Sequence, residues 1–368
     1  MRRRIYTALG LVVILLLTGC TVSVSPRYGN LRGFVGVRRN LNIASVEGLS
    51  EEISLEDIVI SSAALDTELF YPLVGARVSI SGERDEWRTN GDGMFFAYDL
   101  PVGYKRITIS HQALREDLIK EVRIKEDPDT MDFIGGVGYY IVIGIENYPS
   151  IDVENAPGAE NDAVSVADVF HRYTKLPGYG VTLLGDQAKK VDIEHEIRNA
   201  SRWAASEDYL VIYFAGHMGS DYLSPYDDDG RFYSTAITDS DLEGWLREFP
   251  GYVTVILDGS DSATFADGRE PLIRPQALQK PKYTVITSAG EGQKAHVVEG
   301  GHGLFTHYLI AGLSTPEERL ESDKNGDGTI TAQEIFDYIK AGIQKHVGGA
   351  QVPELHVGSS ENTVILRY

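Results

Sequence analysis

Oxygen-bearing side chains recur at alternate positions near the C-terminal end: Asp323, Asn325, Asp327, Thr329 and Thr331, with Glu334 beyond them and Gly328 among them. These are positions 1, 3, 5, 7, 9 and 12 of a loop that wraps one hard cation such as Ca²⁺. Glycine at position 6 makes the sharp turn, and the glutamate closes the coordination sphere through both its oxygens. Ile330 stands where such a loop sends a side chain inward, and Ile335, Ile339, Ile343 and Val347 give the segment that follows a helical apolar face. A single loop suits structural binding at an affinity of about 10⁻⁴ to 10⁻³ M rather than cooperative sensing. A capped acidic loop holding no metal is the competing reading. The shorter cluster Asp227-Asp228-Asp229-Gly230 reads as a solvated loop.

The elements that carry this loop alternate between strand and helix. Tyr139 to Ile145 is an unbroken run suited to a buried strand, and Ala163, Val166, Ala167, Phe170 and Tyr173 then recur at helical spacing. Val181 to Leu184 reads as a strand, Ile193, Ile197, Ala200 and Ala204 as the stripe of a helix, and Tyr209 to Phe214, Val253 to Leu257 and Tyr283 to Thr287 as further strands. A helix is expected near Asp241 to Arg247. Such alternation predicts an α/β domain with a mostly parallel central sheet covered on both faces, whose chemistry lies beyond the carboxyl ends of the strands.

Two of those ends are distinctive: Tyr213-Phe214-Ala215-Gly216-His217-Met218-Gly219 and Ile256-Leu257-Asp258-Gly259-Ser260-Asp261-Ser262. With Tyr140 to Ile145, Asn147-Tyr148, Gly158-Ala159-Glu160-Asn161-Asp162-Ala163, His302-Gly303-Leu304-Phe305-Thr306 and Gln351-Val352-Pro353, in that order, residues 137–368 resemble the caspase-type fold, particularly its bacterial metacaspase-like branch. The resemblance implies that His217 is a general base and that the amides of Met218 and Ser260 form an oxyanion hole. It also implies that Asp162 and Asp258 receive an arginine or lysine side chain, for which a carboxylate pair is a suitable partner. The competing reading makes Asp162 only a helix-start residue favoured by the dipole.

Three residues depart from the family pattern. Ser260 stands where the nucleophilic cysteine is expected, Ala215 where a serine precedes glycine-histidine, and Met218 where a glycine follows them. A thiol is partly ionised at neutral pH, whereas a hydroxyl needs strong general-base help. The expectation is therefore a pseudo-peptidase that binds basic peptide segments or a protein partner. A weak endopeptidase cleaving after Arg or Lys, with Ser260 as nucleophile and His217 as base, and a surface adhesion or scaffold protein are the alternatives. His171, His195, His296, His302 and His307 read as surface or packing residues, since none has metal-like spacing to acidic partners, and Ser262 reads as a turn residue.

The N-terminal part has a different character. Arg2 to Arg4, the apolar run Ala8 to Leu17 and Leu17-Thr18-Gly19-Cys20 form a signal peptide, since the run is shorter than the about 20 residues that span a bilayer. Its end resembles the lipobox of bacterial lipoproteins, which implies lipidation at Cys20. That would place the protein in the cell envelope, anchored to a membrane outside the cytoplasm. Thr21 after the cysteine resembles outer-membrane sorting. The expected organisation is a signal peptide at 1–19, a lipidated tether at 20–30, an all-β sandwich at 31–126, a linker at 127–136 and the α/β domain at 137–368. Pro72 to Val78, Thr89 to Gly93 and Leu100 to Gly103 resemble transthyretin-like modules, while residues 41–70 show no clear period. Cys20 is the only cysteine, which excludes disulfides within the chain and thiolate metal sites. A net charge of −20 argues against nucleic acid as a partner.

Overall fold

A computed structural model describes residues 27–38, 70–114, 116–126, 129–173, 179–219, 221–231, 234–259, 278, 282–290, 292–298, 301–314, 320–358 and 363–368. The expected signal peptide, Cys20 with most of the expected tether, nearly all of 41–70, and Ser260 lie outside the described residues.

Alternating apolar positions in the N-terminal region build β1 (Tyr28–Arg38), β2 (Phe70–Pro72), β3 (Arg77–Ile80), β4 (Glu86–Arg88), β5 (Met94–Pro101), β6 (Gly103–Ser110), β7 (Leu118–Ile124) and β8 (Asp129–Gly135). They form two four-stranded sheets. In one, β1 pairs antiparallel with β2 and β5 and parallel with β8. In the other the order is β4-β3-β6-β7, antiparallel throughout. Inward residues of both sheets, among them Val35, Val78, Phe95, Ile107, Val122 and Phe133, share one core. The turn into β5 is made by Asn90, whose Oδ1 accepts from the Asp92 and Met94 amides at 3.0 and 2.9 Å, while Gly93 takes a positive φ of 72°.

The expected linker at 127–136 is corrected by β8, which carries Phe133 into this core. Flanking polar residues and glycines hid the strand in the sequence. The narrow crossing is Gly136, where a Cβ would fall 1.7 Å from the Glu207 carbonyl oxygen.

The second region runs β9 (Gly138–Gly144), α1 (Ala159–Tyr173), β10 (Tyr179–Leu184), α2 (Lys190–Trp203), β11 (Tyr209–Ala215), the short β12 (Met218–Gly219), β13 (Tyr222–Leu223) and β14 (Ile237–Thr238). It continues through α3 (Asp239–Leu246), β15 (Tyr252–Asp258), β16 (Tyr283–Thr287), α4 (Leu304–Leu313), β17 (Thr329–Thr331), α5 (Ala332–Val347), β18 (Glu354–Val357) and β19 (Val364–Arg367). Its central six-stranded sheet has the order β10-β9-β11-β15-β16-β18. Successive side chains point to opposite faces, so Ile141, Ile212 and Val255 pack with α2 and α3, while Val142, Val211 and Ile256 pack with α1, α4 and α5. The sheet is mixed: β18 runs antiparallel to β16 at the edge, and the other neighbours are parallel. The four residues of β18, Glu-Leu-His-Val, are too short a run for sequence periodicity to single out.

The two regions meet at Arg367. Its guanidinium donates to the carbonyl oxygens of His111 and Leu114, both at 3.2 Å, and reaches Asp117 at 2.8 Å. Arg367→Ala is expected to cost about 1–2 kcal/mol, the scale of charge-assisted bonds that are partly screened. Chemical denaturation would read this as a lower midpoint, and an unchanged midpoint would show that the joint rests elsewhere.

Candidate functional site

Parallel register sets the ends of three strands at one level. Ala215, the last residue of β11, lies opposite Gly144 of β9 on one side and Asp258 of β15 on the other. Beyond them Gly216-His217 and Gly259 border a cleft of about 440 Å³, whose walls include Glu154, Asp162, Lys294, His296 and Gly303.

Two carboxylates form the floor of the cleft. Asp162 lies in the first turn of α1 and is 3% exposed, and Asp258, at the end of β15, is 6% exposed. Both meet the backbone of Gly303, where an added Cβ would fall 2.7 Å from Asp258 Oδ2 and 3.1 Å from Asp162 Oδ2. The Gly303 amide donates to Asp162 Oδ2 at 2.9 Å, and the His302 ring meets Asp162 Oδ1 through Nδ1 at 2.6 Å. The Thr306 hydroxyl donates to Asp258 Oδ2 at 2.6 Å, and the Tyr213 hydroxyl lies 2.5 Å from the same Thr306 oxygen. Burial pushes Asp162 up to about 7; the nearby Asp258 charge adds to this, while Gly303 and His302 oppose it. Asp258 is also raised, by burial above all. Asp162 is thus a helix-start residue and a member of an acidic pair at once.

His217 is half-buried beside the pair. Burial holds its imidazole below the ordinary value, against the pull of Glu154 and Asp228, so at neutral pH the ring is predominantly neutral. Its backbone amide donates to the Tyr148 hydroxyl at 2.9 Å, which donates in turn to the Ser224 carbonyl at 3.1 Å, and the Tyr148 ring stands edge-on to the imidazole at 6.3 Å. Met218 is 3% exposed, with Cε and Cγ 2.9 and 3.0 Å from where a Cβ on Gly259 would sit. The Gly259 amide and carbonyl both bond the Ser288 hydroxyl at 2.9 Å, which fixes the chain just before Ser260.

The oxygen-rich loop lies apart from the cleft, and its strand β17 pairs with β19. Ile330 is fully buried, as expected, and Gly328 has a φ of 79°. Asp323 accepts from the amides of Gly326 and Gly328 at 2.6 and 3.1 Å and from the Tyr368 hydroxyl at 2.8 Å; these bonds hold its carboxyl below the usual range against the opposing effect of burial. Asn325 Oδ1 accepts from the Asp327 amide at 2.9 Å, and Asp327 Oδ1 from the Thr329 amide at 2.8 Å. Thr331 and Glu334 form a capping box at the start of α5. Oxygen donors at alternate positions around a left-handed glycine suit a hard cation. Among the described residues, no three of His, Cys, Asp and Glu are grouped closely enough to hold a metal.

The reading of His302 as a surface or packing residue is corrected by its bond to the buried Asp162, and Thr306, Tyr148 and Ser288 were given no role of their own. His302, Thr306 and Tyr148 belong to the family-like strings, which was the available signal, but nothing in those strings joins His302 to a carboxylate 140 positions earlier.

An open α/β sheet with a histidine and an acidic pair at the carboxyl ends of its strands is the architecture of a caspase-like peptidase fold. Residues 137–364 match the caspase domain, and the chain belongs to that family. A crystal structure of protein GSU0716 from Geobacter sulfurreducens is similar at 15% identity and a TM-score of 0.43, covering 63% of this chain and 97% of that one, a likeness too distant to add to the assignment. No curated protein matches the sequence. No helix among the described residues is long and apolar enough to cross a membrane.

Proposed function

We propose that this is a lipid-anchored caspase-family protein of the cell envelope that acts as a pseudo-peptidase, holding a basic peptide segment or a protein partner in its groove. The observation that carries this reading is the buried pair Asp162 and Asp258 beneath the cleft, beside His217, in a chain with serine at 260. The two β-sheets of the N-terminal region support a transthyretin-like sandwich that spaces the groove from the anchor. An arginyl peptide is expected to bind in calorimetry, with affinity reduced by Asp258→Asn, while an organophosphate probe leaves Ser260 unlabelled. Labelling at Ser260 would favour a weak peptidase cleaving after Arg or Lys, a reading that the neutral His217 supports. Neither labelling nor binding would favour a scaffold.

Calcium is the proposed stabiliser, held by Asp323, Asn325, Asp327, Thr331 and Glu334 with the Thr329 backbone. At about 5 mM Ca²⁺ and the affinity such loops show, mass action adds about 1–2 kcal/mol, a rise of a few degrees in the unfolding midpoint. Glu334→Gln keeps the helix cap but removes a charge from the site, and it should abolish most of that rise. A natural chain whose midpoint ignores Ca²⁺ would rule the ion out.

A further inference from the structure

The carboxylate pair already has a base of its own. Among the described residues, the groups acting on Asp162 are Asp258, the Gly303 amide and His302, those acting on Asp258 are Thr306 and Ser288, and no lysine or arginine is in either set. The side chain of His302 is 28% exposed and that of Asp162 only 5%, so the imidazole stands between the carboxylate and solvent. It is held there from several sides. Asn161 Nδ2 lies 3.2 Å from Nε2, and the His302 carbonyl accepts from the Val298 amide at 2.8 Å. The neighbouring Gly301 lies against Gly158, where a Cβ would fall 1.9 Å from the Gly301 oxygen.

Each oxygen of Asp162 therefore has a partner from within the chain, His302 on one and Gly303 on the other. A guanidinium can add hydrogen bonds to a carboxylate in parallel only where both oxygens face it. The Gly303 amide is part of the backbone entering α4, whereas the His302 ring is a side chain that can rotate away.

We infer that His302 is a specificity-determining residue of this groove: it occupies the place where a basic side chain would meet Asp162, and a peptide enters only by displacing it. This rests on the reading of the groove as a receptor for basic segments. The consequence is selectivity. Arginine, with a planar fork of donors, can outcompete an imidazole for the carboxylate, whereas a neutral side chain of the same shape cannot.

The test is calorimetric binding of an acetylated peptide with one arginine, and of its citrulline counterpart, to the full chain and to His302→Ala and His302→Gln. His302→Gln keeps a donor for Asp162 without the base, and thermal unfolding of both variants is followed alongside. His302→Ala is expected to bind the arginyl peptide at least tenfold more tightly than the natural chain, with His302→Gln between them and the citrulline peptide unchanged. Equal arginyl affinity in the natural chain and both variants would overturn the role of His302 and leave the groove's function standing. Absence of binding to all three, with unfolding unchanged, would overturn both. Equal tightening for arginine and citrulline would reduce His302 to a steric plug and likewise overturn it.

Discussion

A Ser260→Cys chain is expected to hydrolyse an arginyl fluorogenic peptide at a rate at least about a hundredfold above the natural chain, the lower end of what a competent general base and its nucleophile contribute together. His217 is kept neutral by burial and so can accept a proton. Ser288 bonds both the amide and the carbonyl of Gly259, which holds the chain in place one residue before the substituted position. Sulfur at 260 supplies a nucleophile that is partly ionised at neutral pH. An aspartyl peptide should stay uncleaved in both chains, because Asp162 and Asp258 repel it. Equal turnover by the natural chain would sink the pseudo-peptidase reading. Silence in both would mean that Met218, packed over Gly259, and Ala215 leave no room for the reacting carbonyl.

The second large effect is on stability. A folded-state value of about 7 for Asp162 lies well above that of an unfolded aspartate, about 3.9. Between those values the folded chain keeps a proton that the unfolded chain has lost. The contribution is fully present below the unfolded value and is lost as pH rises through the folded one. Asp162→Asn removes this dependence and with it the repulsion from Asp258. The natural chain should therefore lose at least about 1.4 kcal/mol relative to Asp162→Asn between pH 5 and pH 8, the equivalent of one pKa unit. The comparison with the variant matters because His217 acts in the opposite sense: its depressed value makes the folded state less stable as pH falls through the ordinary histidine range. Parallel stability curves for the two chains would show that Asp162 is ionised throughout.

The strands that place the site could be read from sequence because parallel strands buried on both faces appear as continuous β-branched and aromatic runs, as in Tyr209–Ala215 and Tyr252–Asp258. The turn at Gly328 and the inward Ile330 were visible through the spacing of the oxygen-rich loop alone. β8 was not, since its partner β1 lies about a hundred residues earlier and only pairing reveals its alternation. Nor was the contact of His302 with Asp162, which depends on how the chain enters α4 rather than on any local pattern. Long-range register decides such features, and periodicity reports only on neighbours.

The pairing of β1 with β8 also has a mechanical meaning. The chain enters β1 at its N-terminal end and leaves β8 at its C-terminal end for the caspase domain, and the two strands are parallel from Leu31 opposite Asp129 to Val37 opposite Gly135. Tension between the N-terminus and the caspase domain pulls the strands past each other along their length. All of these bonds then carry the load together in shear, where a hairpin would peel them one at a time. Pulling on the two ends of residues 27–136 in a force spectrometer should give one high rupture peak, and a low, gradual extension would show that the load takes another route. The strand concealed in the presumed linker is the clamp through which the rest of the molecule would hang.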